Sequence, residues 1–266
     1  DDKVLAGWNG LAVSAFARAG RSLDEPRYVR EAAETLDFVS DTLYLDDGLR
    51  RRYRDGDVGR RATLDDHAYL ARAALDVYYA SGELDALALA LSLYRDAVER
   101  YWDDDAGAFY YSDSDDLVAR PRGTGDAALP SPAGVAAEVA LELASFTDEF
   151  DGVAGEALAG FDFDRALEHE YEALASDLLV RGPVEVVVPD AGEWWREAGG
   201  RYLPRAVVTS VPEDVDSAVE TLDVDDVPPV WRGREPEDVY VCVDTTCSPP
   251  LESAERGLGY LDDLQA

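Results

Sequence analysis

Apolar positions recur at helical spacing from the start of the chain. Leu11, Val13, Phe16 and Ala17 mark a first helix that stops near Gly20. Pro26, a favoured first-turn residue, opens a second, continued by Tyr28, Val29, Ala32, Ala33, Leu36, Phe38 and Val39. A turn-rich stretch at 44–49 and the charged turn Arg52-Tyr53-Arg54-Asp55-Gly56 follow. The layout then repeats: a helix at 66–80, a turn at Ser81-Gly82-Glu83, a helix at 85–101, and a segment at 102–109 that echoes the earlier Asp-Asp-Gly turn. Gly48 and Gly107 stand at equivalent points about sixty residues apart, a longer period than the common solenoid repeats. A helix at 133–146 opens a third unit and one at 162–179 closes it. Antiparallel pairs of this kind cannot bury their apolar faces alone, so they stack side by side in a ring or an arc.

Past Arg181 the period changes. Residues 184–188 read as a buried strand, Trp194 and Trp195 fall on a short helix, 205–209 form a second strand, 214–222 a helix and 239–243 a third strand. That order predicts a small parallel sheet with right-handed crossovers, followed by a closing helix over 251–264. The chain divides into a helical-hairpin region at 1–181 and a small α/β subdomain at 182–266.

Composition changes this picture in one respect. A hydrophobic content of 47% is globular, but the formal net charge is -33. Lys3 is the only lysine, Met is absent, and acidic residues are spread through every segment. Self-repulsion on that scale destabilises a compact state unless salt screens it. The even spread points to halophilic adaptation; an acidic docking surface for a basic partner is the other reading. No basic stripe is available to neutralise phosphates, which disfavours nucleic-acid binding. The apolar runs are too short to span a bilayer, and Asp1-Asp2-Lys3 does not begin a signal peptide. Location in the cytoplasm, within a longer gene product, is the expectation.

Several phrases combine into a recognisable set. Asp1-Asp2-Lys3-Val4-Leu5-Ala6-Gly7-Trp8-Asn9-Gly10-Leu11, Arg52-Tyr53-Arg54-Asp55-Gly56, Leu64-Asp65-Asp66-His67-Ala68-Tyr69-Leu70 and Tyr240-Val241-Cys242 with Cys247 occur in one order. In this the chain resembles the YyaL family, which includes spermatogenesis-associated protein 20. The resemblance implies an amino-terminal thioredoxin-like domain joined to a helical toroid akin to six-hairpin glycosidases and N-acylglucosamine 2-epimerases. This chain would be its later part: mainly α, a partial (α/α) toroid of helical hairpins with a small carboxy-terminal α/β subdomain. An open toroid edge invites self-association, and the thioredoxin-like domain becomes an expected partner. The chain differs from the family pattern at Pro130-Ser131-Pro132-Ala133-Gly134, where an amide is lost, and at His67, where relatives commonly carry tyrosine.

The candidate chemistry lies at helix starts and turns. Asp65 and Asp66 suit general acid and base on a glycosidic centre, but they equally suit capping of the helix they begin. His67 beside them suits proton transfer near neutral pH or a structural role; His169 falls on a solvated helical face. Trp8 and Asn9 offer an aromatic platform with an amide for a sugar ligand, or an N-cap with its staple. Arg52, Tyr53 and Arg54 suit the same pit or a charged turn, and of Tyr110 and Tyr111 at most one faces it. Cys242 and Cys247 lack redox Cys-x-x-Cys spacing and are too few for structural zinc. In a reducing compartment buried free thiols are expected, with a redox-responsive pair as the alternative. No metal or other cofactor is implied.

Two functional readings follow: a carbohydrate-active or carbohydrate-binding toroid of glycosidase or epimerase type, and a non-enzymatic scaffold for a thioredoxin-like domain with Cys242 and Cys247 as its responsive element. The charge reading is checked by melting curves. Halophilic adaptation predicts a melting temperature that climbs steeply into molar KCl, whereas a docking surface predicts a flat response.

Overall fold

The computed structural model of the chain describes residues 2–113, 119–122, 125–126, 128–159, 161, 164, 168–189, 192–201, 203, 205–243, 246–251, 256–257 and 259–260. It is mainly helical. A short strand β1 (Val4–Leu5) leads into α1 (Ala6–Ser22), against which α2 (Pro26–Leu43) packs. The hairpin β2 (Tyr44–Leu45) and β3 (Gly48–Leu49) follows, then β4 (Arg52–Arg54) and β5 (Asp57–Val58). β4 pairs with both β1 and β5, so the first excursion reaches back to fix the entry to α1. That pairing explains why α1 starts at Ala6, well before the apolar period becomes visible at Leu11.

The second unit is α3 (Leu64–Ser81), α4 (Leu84–Tyr101) and the hairpin β6 (Trp102–Asp103) with β7 (Ala108–Phe109). Gly48 and Gly107 have φ of +107° and +55°, the left-handed region in which a side chain is strained, so the two hairpins share the same turn requirement. The third unit holds α5 (Pro132–Leu143), a short α6 (Val153–Leu158) and α7 (Glu170–Arg181). Its closing helix is shorter than the 162–179 expected, and residues 162–163 and 165–167 lie outside the described set.

Every residue of α3 from Leu64 to Tyr79 is buried. α1 packs on one side of it, α5 on another, and α4 on a third, while α7 extends the row beyond α5. The α1–α3 approach needs Gly10, because a Cβ there would stand 2.8 Å from the Tyr69 backbone. Burial on all sides leaves the charges of α3 to be matched from neighbouring helices. Arg72 donates to Asp76 Oδ1 at 2.7 Å and to Glu142 Oε1 on α5 at 2.6 Å, and lies 3.6 Å from Glu138 Oε2. From α1, Arg18 Nε donates to Asp76 Oδ2 at 2.9 Å and Ser14 Oγ donates to the same oxygen. From α7, Tyr171 Oη donates to Glu138 Oε2 at 2.8 Å. Four helices are thus tied by one buried polar network. Burial alone would raise Asp76, but the Arg72 and Arg18 charges hold it far below the usual carboxylate range. Burial, reinforced by Glu138, pushes Glu142 up despite Arg72.

Beyond α7, β8 (Val184–Val187) pairs in parallel with β9 (Ala206–Thr209) across a connection containing α8 (Glu193–Gly200). After α9 (Val215–Leu222), β10 (Tyr240–Val243) adds to the other edge of β8, antiparallel, and β11 (Thr246–Cys247) completes the order β11-β10-β8-β9. The sheet is therefore mixed where an all-parallel one was expected. The reason lies in the route. α9 packs against α4, and a 3-10 turn at Pro229–Trp231 hydrogen-bonds Val230 N–H to Ser145 O at 2.9 Å, so the chain re-enters the sheet from the opposite end. Leu251 forms a bridge with Val239 and is not helical; most of the expected 251–264 helix falls on residues that are not described.

The sheet meets α3 through β9. Tyr78 lies edge-on to Phe146 and Trp195, and Phe146 to Trp231. Thr209 Oγ1 joins Tyr78 Oη at 2.6 Å and accepts from Trp231 Nε1 at 3.0 Å. No helix among the described residues is long and apolar enough to cross a membrane.

Two outcomes test the buried network. Arg72→Met removes its central cation while leaving the carboxylates, and should lower unfolding stability by about 3–5 kcal/mol in urea titrations; a loss under about 1 kcal/mol would contradict its role. The depressed Asp76 contributes stability that is present above its unfolded value of about 3.9 and is lost as pH falls toward its lower folded value. The stability difference between the chain and Asp76→Asn should therefore be constant above about pH 5 and shrink in more acidic solution.

Candidate functional site

The leading ends of α1, α3, α5 and α7 are joined by hydrogen bonds on one side of the molecule. Gly7 N–H in α1 donates to Asp66 Oδ1 in α3 at 3.1 Å. Tyr69 Oη of α3 donates to Pro130 O, just before α5. Ser131, the N-cap of α5, donates through Oγ to Glu172 Oε1 in the first turn of α7, and Asp126 accepts from the N–H groups of both Ser131 and Tyr171, at 2.6 and 2.8 Å.

Within this row Asp65 and Asp66 are buried around a guanidinium. Arg51 Nη1 lies 3.0 Å from Asp65 Oδ1 and 2.6 Å from Asp66 Oδ2, and donates to Thr63 Oγ1 at 2.7 Å. Thr63 N–H donates to Asp66 Oδ2 at 3.1 Å, the reach-back arm of a capping box. Burial would raise Asp65, but hydrogen bonds from Arg51 and Thr63 outweigh it and hold the carboxyl low. Burial and the adjacent Asp65 charge push Asp66 up. Tyr111 reaches Thr63 and Asp65, and burial with the Asp65 charge raises its hydroxyl. Of the tyrosine pair it is Tyr111 that joins the row. Tyr110 instead carries Arg120 on its ring face at 4.5 Å.

His67 points the other way. Its ring meets Tyr101 edge-on, Nδ1 lies 3.3 Å from Thr63 O, and Nε2 lies 3.5 Å from Asp96 Oδ2 on α4, with the residue 1% exposed. Trp8 is 62% exposed on the first turn of α1. Asn9 is inside the helix and donates to Leu5 O at 2.9 Å, so the N-cap position belongs to Leu5. Arg52 pairs with Asp57 at 2.8 Å, Arg54 with Asp2 at 3.0 Å, and Tyr53 packs edge-on to Phe38. These residues form a charged turn beside the row.

The open space lies further along. A cleft of about 710 Å³ is bounded by the β6–β7 turn, α6 and the starts of α5 and α7, with Arg122, Phe109, Glu156, Phe161, His169 and Glu172 among its walls. Glu172 is buried, Gly125 N–H donates to its Oε1 at 3.3 Å, and its Oε2 accepts no hydrogen bond among the described residues while lying 3.9 Å from His169 Nδ1. Arg51, Asp126 and Glu172 are not among the residues the sequence singles out, whereas Tyr111 is one of the tyrosine pair it names. Arg51 adjoins the Arg52-Tyr53-Arg54 phrase and could have been found there; Glu172 carries no local signal.

Cys242 and Cys247 correct the expectation of free thiols. They face each other across β10 and β11 and their sulfurs are bonded, because the hairpin register brings the two Cα atoms within 4.0 Å.

Arg51 neutralises two carboxylates that would otherwise be buried together. Arg51→Met should lower stability by about 2–3 kcal/mol, less than a fully buried pair because the side chain is partly solvated. Chemical denaturation checks this, and an unchanged midpoint would show that Asp65 and Asp66 need no counterion.

No family model matches the chain. Spermatogenesis-associated protein 20 of mouse is 33% identical to it over 164 residues, and that of human 32% over 165 residues, in each case 57% of this chain and 21% of the relative. An uncharacterised protein of Caenorhabditis elegans is 28% identical over 153 residues. The match therefore spans about a fifth of the length of these curated relatives. The chain is thus similar, over 57% of its length, to one segment of spermatogenesis-associated protein 20.

Proposed function

We propose that the chain binds a carbohydrate at the gathered leading ends of its inner helices, as one part of an (α/α) toroid. The observation that carries this reading is the cleft beside Glu172. Its volume of about 710 Å³ falls in the range of small-molecule sites, roughly 300–1,000 Å³. Glu172 and His169, 3.9 Å apart, supply polar groups to its wall, and Phe161 offers an apolar face to the C–H groups of a sugar. Asp104, Asp105, Glu156 and Glu172 outnumber Arg122 around this space, which favours a neutral sugar over a phosphorylated or uronic one.

Proton transfer, if the site is catalytic, falls to Glu172 and His169. Asp65 and Asp66 are committed to Arg51, and His67 faces α4. In such a toroid a further hairpin packs on the outer face of α1, where Trp8 and Phe16 are exposed, and a second copy of the chain competes for the same face. The acidic surface is read as halophilic adaptation in the same proposal.

Calorimetry in molar KCl with a panel of neutral mono- and disaccharides tests the reading. At least one neutral sugar should bind, sugar phosphates should not, and Glu172→Gln should weaken binding at least about tenfold by removing a charge-assisted bond. An absence of heat across the panel would remove the proposal.

A further inference from the structure

We propose that Cys242 and Cys247 form a thiol–disulfide exchange site in which Cys247 is attacked, Cys242 leaves, and Arg234 is the positioning residue that stabilises the leaving sulfur. This goes beyond the sugar reading and shares no residue with it.

The sheet register carries the argument. Glu185 on β8, Cys242 on β10 and Cys247 on β11 are direct cross-strand partners and form one row across the sheet. Over that row lies Arg234, whose side chain is only 10% exposed. Its Nη2 stands 3.0 Å from Cys242 Sγ, 3.3 Å from Cys247 Sγ and 3.0 Å from Glu185 Oε2, and its Nη1 donates to Val230 O. The guanidinium is thereby held at both ends. A disulfide sulfur is a weak acceptor and needs no such cation, whereas a thiolate is a strong one. A purely stapling role fits poorly as well, since loop-closure stabilisation is smallest for short loops and these strands are already paired.

Exposure assigns the direction of attack. Cys242 is 1% exposed, while Cys247 lies at the open edge of the sheet and is exposed. A thiolate from outside reaches Cys247 Sγ, forms a new S–S bond there, and displaces Cys242 as a thiolate beside Arg234 Nη2. A second external thiolate then attacks the mixed disulfide at the external sulfur, releasing Cys247 as a thiolate and leaving the external pair oxidised. Two electrons pass from the external thiols to the protein, and the two released thiolates are protonated from solvent or held by Arg234. The co-reactant is thus a thiol pair or dithiol.

The test uses the purified chain with reduced glutathione as the probe. Reduction should proceed at a rate proportional to glutathione concentration while circular dichroism stays native, and peptide mass analysis after acid quenching should find glutathione on Cys247. Arg234→Met should slow reduction about three- to tenfold through loss of leaving-group stabilisation, with Arg234→Lys retaining most of the rate. The proposal is overturned by a rate independent of glutathione concentration, which means opening through unfolding, by the adduct on Cys242, or by an unchanged rate in Arg234→Met. Should Arg234→Met not fold, the adduct position and the Arg234→Lys rate still decide.

Discussion

The arrangement of the inner helices depends on how Arg72 is neutralised. It sits in a helix buried on every side, so its charge must be met by Asp76 on its own helix and by Glu142 and Glu138 on α5. Meeting it fixes the rotation of α5 relative to α3. Arg18 and Ser14 extend the same constraint to α1, and Tyr171 extends it to α7. A network of this kind contributes little net stability, because desolvation offsets most of the attraction. What it contributes is register. With α1, α3 and α5 locked along their length and α7 held at Tyr171 in its first turn, the leading ends meet through the bonds from Gly7, Tyr69 and Ser131.

That leading end divides into two chemically different parts. Around α1 and α3 the acidic side chains of Asp65 and Asp66 already accept from Arg51, Thr63 and backbone N–H groups. Around α5 and α7 lies the cleft, and Glu172 Oε2 there accepts no hydrogen bond among the described residues, with His169 Nδ1 3.9 Å away. Between the two parts, Ser131 caps α5 and holds Glu172 in place.

Helices and hairpins were largely legible in sequence, since period 3.6 and the Gly48 and Gly107 turns need no tertiary information. Where the reading fell short, long-range pairing decides the outcome. α1 starts at Ala6 because β1 pairs with β4, a partner far along the chain. β10 runs antiparallel because α9 and the Pro229–Trp231 turn carry the chain around the molecule before it returns. At the site, proximity in sequence misled: Asp65, Asp66 and His67 are consecutive, yet a helix turns successive residues about 100° apart, and His67 faces α4. The cysteine bond was missed for a similar reason, since only the register of β10 and β11 places those two residues opposite each other.

Amide hydrogen exchange, with and without a neutral disaccharide in molar KCl, tests the proposed sugar site most directly, because a bound ligand slows exchange in the segments it covers and holds. The account predicts slowed exchange confined to the β6–β7 turn and the first turns of α5 and α7. Slowing on unrelated faces, or none at any disaccharide concentration, would contradict it.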